Sequence, residues 1–115
     1  MEDFDDFVKR FTADIQKRGV ECYSQKTKTG YGLYKESSSG KPKELFAMVH
    51  EQKERFRIAT CLDWVKRAGV ERLADEIKPG LWFDEDGCWF DVSRSSGQGY
   101  QKAVVAISEV CRAKQ

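Results

Sequence analysis

The chain has 115 residues, 40% of them hydrophobic and 34% charged, with a formal net charge of +1. That length suits one domain spanning 1–115 and is too short for two ordinary ones. No apolar run approaches the roughly 20 residues that span a bilayer, and the acidic start Glu2-Asp3-Phe4-Asp5-Asp6 is the reverse of a basic signal peptide, so a soluble cytoplasmic protein with no membrane partner is expected.

The first element is a helix over 2–18. Phe4, Phe7, Val8, Phe11 and Ile15 recur at spacings of three and four, which places them on one stripe. Acids crowd its first turns, Lys17 and Arg18 sit in its last, and Gly19 is a natural stop. A short strand over 20–25 follows, then a turn over 26–30 and an aromatic strand over 31–36. Ser37-Ser-Ser-Gly-Lys-Pro42 reads as a loop.

Residues 44–61 read as a hairpin about a polar turn, Gln52-Lys53-Glu54. Leu45, Ala47 and Val49 alternate with Phe46, Met48 and His50, so both faces of the first strand are partly apolar. A central strand covered on both sides is expected. Its partner sets Phe56, Ile58 and Thr60 against the wetter set Arg57, Ala59 and Cys61. Leu62, Val65, Val70, Leu73 and Ile77 predict a helical segment over 62–78, broken near Gly69 and ended by Pro79-Gly80. A second hairpin is expected to turn at Asp84-Glu-Asp-Gly87. After a loop over 93–99, a last helix over 100–114 carries Tyr100, Ala103, Val104, Ile107, Val110 and Cys111 on its buried stripe. The fold class is therefore α+β: an N-terminal helix, a short, mainly antiparallel sheet of 4–5 strands, a middle helical segment and a C-terminal helix packed on the sheet.

Charge is unevenly placed, with nine Lys/Arg against three acids over 9–43. Lysines neutralise phosphates and tyrosines stack on unpaired bases. Lys26, Lys28, Tyr31 and Lys35, extended by Lys53 and Arg55, are the candidate nucleic-acid contacts; a tyrosine core with solvated lysines is the plainer reading of the same residues. Arg94, Ser96 and Gly97, ahead of the last helix, are candidates for holding an anion, and Ser95 or Ser96 serves equally as an N-cap.

Glu51-Gln52-Lys53 offers an alternative. Restriction-type nucleases of the PD-(D/E)xK class hold a divalent ion between two acids beside a lysine, and residues i and i+2 of a strand share a face. Glu36, Glu51 and Lys53 would form that set, although the motif falls at a turn and Glu36 borders a Ser/Gly loop. Other constellations are weaker. Cys22, Cys61, Cys88 and Cys111 lack metal-ligand spacing and read as buried thiols. Asp84-Glu85-Asp86-Gly87 lacks the other ligands of a calcium loop. His50 has no nucleophile signature near it, and Trp64, Trp82 and Trp89 read as packing rather than a cage. No cofactor or resident metal is expected.

Lys28, Tyr31 and Tyr34, then Phe46-Ala-x-Val49 leading to Gln52-Lys53, Phe56-x-Ile58, Trp89-Phe-x-Val92 and the closing amphipathic helix resemble a group of small uncharacterised α+β domains. Those domains occur alone or attached to restriction-associated and predicted transport proteins. The resemblance covers roughly residues 20–112 and departs in His50-Glu51 and in the acidic N-terminal helix. It implies a compact domain associated with nucleic-acid systems and supplies no catalytic set. The expected function is a binding or accessory domain that contacts nucleic acid or a protein partner through a basic-aromatic face.

Overall fold

The computed structural model describes residues 2–35 and 44–114. Helix α1 (Phe4–Lys17) leads into strands β1 (Cys22–Lys26), β2 (Tyr31–Lys35), β3 (Glu44–Glu51) and β4 (Arg55–Cys61). Helix α2 (Leu62–Arg67) and a 3-10 turn (Glu71–Leu73) precede β5 (Glu76–Trp82), β6 (Glu85–Ser93) and α3 (Tyr100–Ala113). The strands form one antiparallel sheet in the order β1-β2-β3-β4-β6-β5.

The α+β class and the two long terminal helices agree with the sequence reading; the sheet is larger and the middle helix shorter. After α2, Gly69 adopts φ +72°. Its N–H donates to Lys66 O at 3.0 Å and the Val70 N–H to Val65 O at 3.1 Å, a Schellman closure that ends the helix. The expected helix over 62–78 therefore stops at Arg67, and its last part is strand β5. Ile77, read as one of that helix's apolar positions, is 51% exposed there. The second hairpin turns at Phe83-Asp84, both at positive φ, with Trp82 paired to Glu85. Glu85, Asp86 and Gly87, expected in the turn, belong to β6. A Cβ on Gly87 would lie 2.9 Å from Leu81 Cβ and 3.1 Å from Thr60 O, so the glycine permits close passage between neighbouring strands.

The helices and one sheet face share a single core. Phe7 stacks on Phe56 at 4.1 Å between ring centroids, and Tyr100 meets Phe7 and Phe11 edge-on. All six apolar positions predicted on α3 are buried. A bulge separates Leu33↔Ala47 from Tyr34↔Leu45, and the extra residue on β3 is Phe46. Strict alternation put Phe46 opposite Ala47; across the bulge both enter the same core. The buried hydroxyls are satisfied locally: Thr60 donates to Phe46 O at 2.7 Å, Thr12 to Val8 O at 2.7 Å and Ser108 to Val104 O at 2.6 Å.

β3 is central, as expected, but cover on both sides is not what forms. Among the described residues every helix packs on the face of Leu33, Val49, Ile58 and Phe90. Register places Met48, His50, Arg57, Trp89 and Asp91 on the other face. No described helix is long and apolar enough to cross a membrane.

The four cysteines are free thiols, all buried. Burial pushes Cys22 and Cys88 up from 9.0 to about 12 and Cys111 to about 11. Unfolding returns them to their ordinary range, so the unfolded chain releases protons first. Stability is fully present below pH 9 and declines as pH rises through the window to about 12. Denaturant melts at stepped alkaline pH are expected to show this decline, and Cys22→Ala with Cys88→Ala to make it shallower.

Candidate nucleic-acid interface

Three connections meet at one end of the sheet. Tyr31 pairs with Val49 and Arg55 with Ser93, so the β1–β2 turn, the β3–β4 turn and the loop from β6 to α3 are neighbours. The β1–β2 turn is closed by the Thr27 N–H donating to Gly30 O at 2.9 Å. A Cβ on Gly30 would lie 2.1 Å from Val49 O, so only glycine lets this turn rest on β3. In the β3–β4 turn the Gln52 N–H donates to Arg55 O at 2.9 Å, leaving Lys53 and Glu54 at the tip.

Arg94 fastens the third connection to the second. Its Nη1 donates to Glu51 Oε2 and to Gln52 O, each at 3.0 Å, its backbone N–H donates to Glu54 O at 3.0 Å, and its guanidinium lies over Phe56. The Ser96 hydroxyl accepts the Gln98 N–H at 3.2 Å, and Gly97 adopts a positive φ, +74°. The residues expected to hold an anion thus serve the loop itself. Neither Ser95 nor Ser96 is the N-cap; Gly99, at φ +92°, holds that position.

Between the β3–β4 turn and the loop from β6 to α3 lies a cleft of about 660 Å³, with Lys53, Arg55 and Lys102 beside Asp75 and Asp91 in its wall. Asp91 accepts from Arg57 Nε at 2.8 Å and Nη2 at 3.0 Å, and Arg55 approaches it at 3.5 Å. The bidentate bond to Asp91 raises the Arg57 pKa above its usual value, so the cation is permanent. The same guanidinium lies 3.9 Å from the Trp89 ring centroid. Asp75 accepts the Asp91 N–H at 2.7 Å and Lys102 Nζ at 2.5 Å.

Lys26, Lys28, Lys53 and Arg55 are exposed at this end, and the three lysines enter no ion pair among the described residues. Tyr31 and Lys35 face the helices instead. The Tyr31 hydroxyl donates to Asp5 at 2.6 Å, which raises its pKa, and its ring meets Phe4 edge-on. Lys35 Nζ donates to Cys111 O at 3.2 Å and Lys114 O at 2.5 Å, closing the C-terminus of α3 at the far end of the sheet.

For the nuclease set, Glu51 and Lys53 share one turn, with Glu51 engaged by Arg94. Glu36 lies outside the described residues; its neighbour Lys35 pairs with Glu44, at the end of β3 opposite Glu51. Among the described residues no three His, Cys, Asp or Glu side chains converge as a metal site requires. The sequence reading missed Arg57, Trp89, Asp91, Asp75 and Lys102. The one available signal was Arg55-x-Arg57, two cations on the same strand face.

Compared with protein-family models, curated proteins and solved structures, the chain gives no match.

Proposed function

We propose that this chain is a nucleic-acid-binding domain that meets the phosphate backbone at the sheet end formed by the β1–β2 and β3–β4 turns. The observation that carries the reading is that Lys26, Lys28, Lys53 and Arg55, from separate segments, are all exposed at one end of the sheet, and that the three lysines enter no ion pair among the described residues. Unpaired surface lysines retain their full charge for an external anion, whereas Lys102 is already neutralised by Asp75. The resemblance to small α+β domains found alone or attached to restriction-associated and predicted transport proteins is compatible with this reading.

With a net charge of only +1, the protein has little long-range attraction for a polyanion, and binding rests on the local patch. Affinity without sequence readout is then in the range of about 10⁻⁴–10⁻⁶ M at physiological salt. The test is fluorescence anisotropy of labelled oligonucleotides across a salt series. Changing Lys26, Lys28 and Lys53 together to Gln is expected to flatten the log–log salt slope by about 2–3, at roughly 0.7–0.9 per phosphate contact. Lys9→Gln with Lys17→Gln, remote on α1, is the control. Salt-independent binding, or equal slopes for both variants, refutes the reading.

A further inference from the structure

The face of the sheet opposite the described helices begins where the proposed phosphate surface ends. Lys53 leads to Arg55 and Arg57 along β4, then across to Trp89 on β6 and Lys78 on β5, whose Nζ lies 5.9 Å from the Trp89 ring centroid. Arg57 is an unusual member of this row. Its guanidinium is held on one side by the Trp89 ring and along one edge by both carboxylate oxygens of Asp91. The side chain retains 20% of its exposure, while Trp89 beneath it is 9% exposed. A planar cation held in this way has already lost its rotational freedom, so a flat ring landing on it incurs little further ordering cost.

Charge restricts the path of a bound strand. Glu2, Asp3, Asp5 and Asp6 mark the helix side of the same sheet end, where Asp5 holds Tyr31. A phosphate chain seated on Lys28 and Lys53 is repelled there, whereas on the other face Arg55, Arg57 and Lys78 balance the nearby Asp75, Glu76 and Asp91 and raise no such barrier.

Resting on the binding function proposed above, we infer that the strand is unpaired and that one of its bases stacks on the Arg57 guanidinium over Trp89. A base inside a duplex presents only its edge and cannot reach this platform, whereas every unpaired base has a face to offer.

The test pairs an oligothymidylate with a blunt duplex of equal length. The single strand is expected to bind about tenfold tighter or more, the scale of one stacked base. Arg57→Lys keeps the charge and a bond to Asp91 but loses the plane. It is expected to weaken single-strand binding about fivefold or more while leaving the salt slope unchanged. Should that variant melt early, the wild-type protein still gives the answer: the Arg57 Nε–H and Trp89 indole N–H resonances must shift on adding the oligothymidylate. Equal affinity for duplex and single strand, or binding without those shifts, overturns the platform and leaves the phosphate surface standing. Shifts that appear on raising protein concentration alone would show that a second copy covers this face, which also overturns it. Failure of both nucleic acids to bind removes this inference together with the function it rests on.

Discussion

Phe56→Ala is expected to lower stability by about 3–5 kcal/mol, enough to bring the melting temperature down by about 15–25 °C in a domain of this size. Phe56 is 1% exposed and lies where three segments meet. Phe7 of α1 stacks on it at 4.1 Å, Phe4 at 5.8 Å, and the Arg94 guanidinium covers it at 4.7 Å. Removing the ring opens a cavity that neither a helix nor a paired strand can collapse into, and it strips Arg94 of one partner. Ile77→Thr, on the exposed edge strand, should change stability by no more than about 0.5 kcal/mol. Thermal melts followed by circular dichroism measure both; a loss below about 1 kcal/mol in Phe56→Ala would contradict the packing described.

Gly99→Ala is the second large effect. Gly99 combines φ +92° with a backbone so close to β6 that a Cβ would stand 2.3 Å from Asp91 O. The left-handed conformation alone costs a non-glycine residue about 1–2 kcal/mol, and the overlap forces β6 and α3 apart at a further cost of about 1–3 kcal/mol. Gly97 provides an internal comparison. It has a similar φ, +74°, but nothing lies within 4 Å of its Cβ position, so Gly97→Ala should show the conformational cost without the collision. Urea denaturation of the two variants should differ in midpoint, with Gly99→Ala lower. Because Asp91 and Gly99 both border the cleft, Gly99→Ala should also disturb oligonucleotide binding, and Gly97→Ala much less.

Local pattern revealed the elements whose burial is periodic. The Phe7, Val8, Phe11 and Ile15 stripe of α1 and the stripe of α3 read directly, because a long amphipathic helix repeats the same signal several times. The segment from Val70 to Ile77 misled because apolar residues at helical spacing also occur by chance around a glycine stop. Strand β5 exists through its pairing with β6, and partners outside the segment leave no local trace. The bulge at Phe46 is likewise a property of two strands together. The candidate site follows the same division. Lys26, Lys28, Lys53 and Arg55 are legible as cations in or beside turns, whereas the Arg57–Asp91 pair joins residues 34 positions apart. Tyr31 and Lys35 looked like surface contacts because nothing near them in the chain announces Asp5 or the carbonyls of α3.

One of the two edge strands of the sheet is poorly suited to pairing with another chain. β5 runs along the rim of the sheet with Pro79 and a left-handed Gly80 at its middle, inside the register shift between Lys78 and Trp82. A proline offers no donor to an incoming strand, and the kink beside it breaks the straight ladder that recruitment needs. Ile77 and Phe83, 51% and 68% exposed along the same rim, would otherwise make an adhesive border. The interruption sets those apolar side chains on a broken edge rather than on a flat, continuous one.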